Sequence, residues 1–97
     1  MIGAELLLKS IINSGVDKIF TLSGNQIMPI YDAAIDLGIE MVHCRHEASA
    51  VFMADGYAQS SGKVGVALVT AAPGFTNSLG PLFAINSNQS PVLLLSG

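Results

Sequence analysis

The sequence predicts an α/β fold, a doubly wound and mainly parallel sheet with helices on both faces. Three observations predict it. Helical and extended patterns alternate along the whole of the 97 residues, and turn residues punctuate them. The run from Lys63 to Thr70 is continuously apolar after its first residue, as in strands buried on both faces. Such alternation builds parallel sheets, because each crossover carries a helix back over the sheet.

The elements follow in order. Ala4, Leu7, Leu8, Ile11 and Ile12 recur at helical spacing, and Gly15 supplies the stop. Val16 to Leu22 reads as the first strand, Ser23-Gly24-Asn25 as a turn, and Gln26 to Leu37 as a second helix closed by Gly38. Glu40 to Cys44 is the second strand, and His46 to Ser60 the third helix, ended by Gly62. After the third strand, Lys63 to Thr70, comes a turn at Ala72-Pro73-Gly74. Phe75, Leu79, Leu82 and Phe83 mark one face of a fourth helix, with Thr76 and Asn77 as a candidate capping pair. Gly80-Pro81 conflicts with that helix, since proline lacks a donor and crowds the preceding turn. The helix is therefore expected to kink there or to begin later. Pro91 to Ser96 is a final apolar strand, and Met28, Met41 and Met53 are expected to fill the core. With no helix after that strand, residues 1–97 are expected to be one part of a larger domain, truncated after its fourth strand.

Hydrophobic residues make up 51% and charged residues 11%, against roughly 25% charged in ordinary soluble domains. Lys63 is the last charged side chain, so residues 64–97 carry no formal charge. A solvated surface normally places Lys or Glu on its helices, so part of this half is expected to pack against another domain or subunit. The apolar runs are far shorter than the ~20 residues a membrane-spanning helix needs. The first residues, Met1-Ile2-Gly3-Ala4-Glu5, lack the pattern of a secretory signal. Cys44 is the single cysteine, which fits a reducing, cytoplasmic setting. A net charge of −3 gives no footprint for nucleic acid.

The chemistry is concentrated in Cys44-Arg45-His46-Glu47, between an extended run and an Ala-rich helical one. Glu47 falls in the first turn of a helix that starts where a strand ends, and ligands of open parallel sheets collect at that edge. The turns at 22–26 and 71–77 are expected on the same edge. A first-turn acid is also favoured by the helix dipole by ~0.3–1 kcal/mol, so position alone favours a structural role over a catalytic one. His43, Cys44, His46 and Glu47 invite a metal reading, but adjacent strand residues point to opposite faces and no second ligand cluster follows. No metal site is expected, and His46 reads most simply as a helix-start residue bonded to backbone. Neither a G-x-G-x-x-G fingerprint nor a G-x-x-x-x-G-K-[ST] loop is present, which disfavours a nucleotide binder.

Arg45-His46-Glu47-Ala48, Ala54-Asp55-Gly56-Tyr57-Ala58, Gly62-Lys63-Val64-Gly65-Val66, Pro73-Gly74-Phe75-Thr76-Asn77 and Pro91-Val92 occur in that order. Together with Gly15-Val16 and Ile19-Phe20, this set resembles the amino-terminal pyrimidine-binding domain of thiamine-diphosphate-dependent decarboxylases, carboligases and lyases. Acetolactate synthase, oxalyl-CoA decarboxylase and 2-hydroxyacyl-CoA lyase belong to that group. The resemblance implies that Glu47 is the catalytic glutamate, exchanging a proton with N1′ of the cofactor's aminopyrimidine from a site shielded from water. It places Ser23, Gly24, Asn25, Pro73 and Gly74 beside the cofactor. It implies further that Mg2+ and the diphosphate are held by a carboxyl-terminal domain absent here, usually in a partner subunit of a homo-oligomer. The substrate class would be 2-keto acids or 2-hydroxyacyl-CoA, with a peroxisomal location for a eukaryotic acyl-CoA lyase, and the 97-residue chain alone would not turn over. Many members carry a G-x-P-G-type turn where this chain has Thr21-Leu22-Ser23-Gly24-Asn25, which leaves the substrate open. The alternative reading is a non-catalytic α/β interaction module that keeps the fold.

Overall fold

The computed structural model describes residues 3–97, so Met1 and Ile2, part of the amino-terminal reading above, lie outside it. Four helices and four strands alternate: α1 (Gly3–Asn13), β1 (Lys18–Thr21), α2 (Met28–Leu37), β2 (Glu40–His43), α3 (Glu47–Ser61), β3 (Gly65–Val69), α4 (Pro73–Asn88) and β4 (Val92–Ser96). The strands form one sheet in the order β2-β1-β3-β4, and every neighbouring pair is parallel. The predicted fold class is therefore the observed one.

Strand periodicity divides the interior into two layers. Ile19, Val66 and Leu68 point to one face and meet Leu8 and Ile11 of α1 with Ala33 and Ala34 of α2. Phe20 and Ala67 point to the other and meet Ala50, Val51 and Ala54 of α3 with Ile85 of α4. The chain first steps from β1 outward to β2, then crosses back over β1 to β3. Crossovers of one hand put helices on opposite faces when the direction of travel reverses, so α2 and α3 lie on opposite sides. All five residues of β3 are buried, as its uninterrupted apolar run predicts.

Local chemistry sets the ends. Gly38 and Gly62 follow α2 and α3 in the left-handed conformation, φ 75° and 74°, and each returns its N–H to a carbonyl of the last turn. Gly65 matters for a different reason: a Cβ there would collide with the Ala54 carbonyl, so glycine lets α3 lie directly on β3.

Several expectations need correction. The strands are shorter than their apolar runs; Leu22, Cys44, Lys63 and Thr70 lie just beyond them. Gln26 belongs to a single 3-10 turn, Asn25–Ile27, before α2 begins. Met28 and Met53 are exposed; Met41 alone of the three packs against the core. The fourth helix begins at Pro73 rather than later, and runs through a buried Pro81. Thr76 and Asn77 lie inside it and do not cap it; Ala72 is the cap residue, without a side-chain bond. The largest difference is the face that α4 buries. Gly74, Ser78, Pro81 and Ile85 face inward, while Phe75, Leu79 and Phe83 are 41%, 44% and 80% exposed, and only Leu82 is half-buried. The buried side of α4 is thus mostly small residues, and its stripe of large ones lies outside.

Candidate functional site

The sheet order places β1 and β3 side by side, and their outgoing connections run to opposite faces. That reversal opens a crevice beyond the strands' carboxyl ends, the usual ligand position in such sheets. Three segments meet there: the connection after β1, the start of α3, and the connection from β3 into α4.

Glu47 reaches this edge by local means. The Cys44 N–H donates to the Thr21 carbonyl at 2.8 Å, carrying the pairing of β1 and β2 one step past the strands. His46, in extended conformation (φ −150°, ψ 143°), then caps α3: its Nδ1 accepts from the Ala48 N–H at 2.9 Å. This is the backbone-bonded role read for His46 from the sequence. Glu47 follows as the first residue of α3, where the helix dipole favours negative charge. Its side chain is half-buried, and Oε1 accepts a hydrogen bond from Asn77 Nδ2 of α4 at 3.3 Å.

Thr70, just past β3, is the hub around which the other pieces gather. A Cβ on Gly24 would come within 2.5 Å of Thr70 Cβ and Oγ1, so the connection after β1 lies directly against it. Gly24 is extended, φ −168°, so close approach and not backbone freedom is what glycine provides. A Cβ on Gly74 would lie 2.9 Å from Thr70 Cγ2 and 3.5 Å from Glu47 Oε2. Gly24, Thr70, Gly74, Glu47 and Asn77 therefore form one contiguous patch. Between Thr70 and Gly74, Ala72 has φ 57° and ψ −108°, a sparsely populated conformation for a residue with a side chain. Strain of this kind costs of order 1–3 kcal/mol and gathers at functional turns.

Of the residues singled out in the sequence, Glu47, Gly24 and Gly74 come together. Pro73 is the exposed first residue of α4, and Ser23 and Asn25 are exposed in the connection after β1. Thr70 and the contact made by Asn77 carried no signal of their own in the sequence. One clue was present, since Asn77 stands on the turn of α4 that follows Gly74.

The rest of the Cys44-to-Glu47 region separates. His43 turns its ring edge toward Tyr31 of α2, with centroids 5.6 Å apart. Cys44 turns to the other face, its Sγ 3.4 Å from Met53 Sδ, and burial pushes its thiol above the usual range. Among the described residues no three His, Cys, Asp or Glu side chains converge on a metal position. Beside the site, buried Thr21 donates from Oγ1 to the Leu68 carbonyl at 2.8 Å and lies 2.7 Å from Tyr31 Oη, tying the end of β1 to β3 and α2. An apolar hollow of about 410 Å³, lined by Leu7, Ile11, Val16, Val66 and Leu93, lies under α1 toward the opposite end of the strands and contains no ionisable group.

The family described as thiamine pyrophosphate enzyme, N-terminal TPP binding domain, matches residues 1–97. The acetolactate synthase large subunit of Haemophilus influenzae is 44% identical over 96 residues, covering 98% of this chain and 17% of the relative. The acetolactate synthase isozyme 3 large subunit of Escherichia coli is 43% identical over the same shares. Human 2-hydroxyacyl-CoA lyase 2 is 52% identical over 83 residues, 86% of this chain and 13% of that protein. The chain thus spans less than a fifth of the length of these relatives.

Proposed function

The chain belongs to the family of thiamine pyrophosphate enzyme N-terminal TPP binding domains, and on that premise we propose that it forms one half of the cofactor site of a C–C lyase or carboligase. Glu47 is its catalytic residue. The substrates are 2-keto acids or 2-hydroxyacyl-CoA thioesters, the classes suggested by the names of the acetolactate synthases and 2-hydroxyacyl-CoA lyases it is similar to.

The observation that carries the reading is the position of the Glu47 carboxylate at the β1/β3 crevice, one oxygen held by Asn77 and the other beside Gly74. The patch fits the aminopyrimidine end of thiamine diphosphate. Glu47 offers an oxygen to a ring nitrogen, and Gly24 and Gly74 let the connections on either side of Thr70 pack closely beside it. It does not fit the diphosphate end, because residues 22–26 and 70–77 contain neither Lys nor Arg. We assign that end, with its Mg2+, to a carboxyl-terminal domain of a second subunit. The exposed stripe of Phe75, Leu79 and Phe83 supports such a partner, since it lies on α4, the helix that carries Gly74 and Asn77. The lone, half-buried thiol of Cys44 fits the cytoplasm.

Thiamine diphosphate, when bound, supplies the electron sink for the bond that is made or broken. This chain's own part is narrower. Glu47 holds a proton at the pyrimidine N1′ and takes it back, acting as general acid and base. The packed loops at Gly24 and Thr70 and the start of α4 keep its carboxylate at a fixed place on the rim.

The test is Glu47→Gln in the whole protein, followed by the exchange rate of the cofactor C2 proton. Exchange is expected to fall about 100-fold or more, the usual scale of lost acid–base catalysis. An unchanged rate removes Glu47 from the chemistry.

A further inference from the structure

We propose that Asn77 is the positioning residue of Glu47: by occupying Oε1 it assigns the exchangeable proton to Oε2. The proposal rests on the reading of Glu47 given above and adds which oxygen acts. The hydrogen bond runs from Nδ2 to Oε1 at 3.3 Å. An amide nitrogen only donates, so the oxygen it meets must keep a lone pair whether the carboxyl group is charged or neutral. A carbonyl-type oxygen is a better acceptor than a hydroxyl oxygen, so a proton arriving on Glu47 is favoured on Oε2 over Oε1. Gly74 lies on that side: a Cβ there would come within 3.5 Å of Oε2 and 2.9 Å of Thr70 Cγ2, so glycine lets the start of α4 pack against this end of the carboxylate. Oε2–H breaks as N1′–H forms, and the reverse step restores it, while Oε1 stays bonded to Asn77.

The donor is well anchored. Asn77 sits between Thr76, whose N–H donates to the Ala72 carbonyl at 3.0 Å, and buried Ser78, whose Oγ donates to the Phe75 carbonyl at 2.6 Å. Gly74, Ser78 and Pro81 bury the inner side of this helix. Of the elements against α3, α4, β3 and β4 have no ionisable side chain, and β1 has only Lys18, at the far end of the sheet. The remaining groups near the start of α3 are Cys44, Arg45 and His46, with His43 at the end of β2.

The test uses the whole protein with Asn77→Asp, which keeps the shape but replaces the donor with a second carboxylate, and Asn77→Ala, which removes the donor on an exposed helix position. Thiamine diphosphate affinity is measured calorimetrically from pH 5 to 8, beside the pH profile of C2-proton exchange. Two facing carboxylates must share a proton to coexist, so N77D is expected to bind the cofactor roughly tenfold more weakly above neutrality and to recover as the pH falls. N77A is expected to lose roughly tenfold in exchange rate, the scale of one bond to a charged group, without that recovery. A residue that only supports packing would leave the pH profile of N77D on that of the wild type, and that result overturns the proposal. Glu47→Gln, run in parallel, separates the two ideas. If it is impaired while both Asn77 variants match wild type, only the positioning role falls; if it too matches wild type, the reading of Glu47 falls as well.

Discussion

Gly24 and Thr70 meet across the crevice so closely that a single added methyl on residue 24 would sit 2.5 Å from two atoms of the threonine. One of these atoms is Thr70 Cβ, which every residue except glycine possesses. Gly24→Ala is accordingly expected to cost about 1–3 kcal/mol as overpacking. Trimming the neighbour by Thr70→Ser should give back little of that loss, whereas Thr70→Gly should relieve it. Urea denaturation of the whole protein measures the series, and full rescue by serine would show that the contact is softer than the backbone positions imply.

Thr21 is fully buried, and its one hydroxyl proton goes to the Leu68 carbonyl, so the bond with Tyr31 must be donated by the phenol. Thr21→Val removes both interactions and takes this donor from the carbonyl of buried Leu68. The expected loss is about 1–3 kcal/mol. Tyr31→Phe leaves the bond to Leu68 and should cost less, about 0.5–1.5 kcal/mol. Equal losses in denaturant titrations would mean that the Leu68 bond contributes nothing.

Burial holds the Tyr31 phenol above its usual 10.0. The fold therefore favours the protonated phenol. Its contribution is complete below pH 10 and declines as the pH rises through the raised value. Ultraviolet titration of Tyr31→Phe against wild type identifies the late-ionising phenol.

Asp17 behaves in the opposite sense at the other end of the sheet. Tyr57 Oη donates to its Oδ1 at 2.9 Å, and this bond, aided by Lys63 and Lys18 against a smaller opposing effect of desolvation, holds the carboxyl below its usual 3.8. The stabilisation is present above that value and is lost as the pH falls through the lowered one. Tyr57→Phe should return the carboxyl toward its ordinary range and move acid unfolding to higher pH. Circular dichroism during acid titration checks the direction; coincident curves would count against the contact.

Leu79 and Phe83 offer a contrast, because their side chains already face water in this chain. Replacing both with serine should change unfolding by no more than about 0.5 kcal/mol per site. On the proposed two-subunit site, the same pair should weaken assembly of the whole protein. Sedimentation velocity over a range of concentrations reads this out, and unaltered assembly would dissociate the stripe from any subunit contact.

The sequence carried the alternation of elements because each strand is a short apolar run and each helix has a clear stop, Gly38 and Gly62 above all. It carried the place of Glu47, at a helix start just after a strand end, because that junction is visible in the residue pattern alone. It misled at α4, where hydrophobic spacing selected Phe75, Leu79 and Phe83 as the packed side. The side it buries is Gly74, Ser78, Pro81 and Ile85, and small residues leave little hydrophobic period to read. Thr70 and Asn77 were hidden for another reason: their contacts span 46 and 30 positions, to Gly24 and Glu47, and only the sheet order brings them together.

Pro81 lies four residues after Asn77, so the nitrogen that would have closed the next turn onto the Asn77 carbonyl bears no hydrogen. The opening turns of α4 are thus joined to the remainder of the helix by one link fewer, at the residue that grips Glu47. Deuterium should enter the amides of residues 76–80 sooner than those of 82–88, making the amino-terminal end of α4 the segment that yields first when the rim is disturbed.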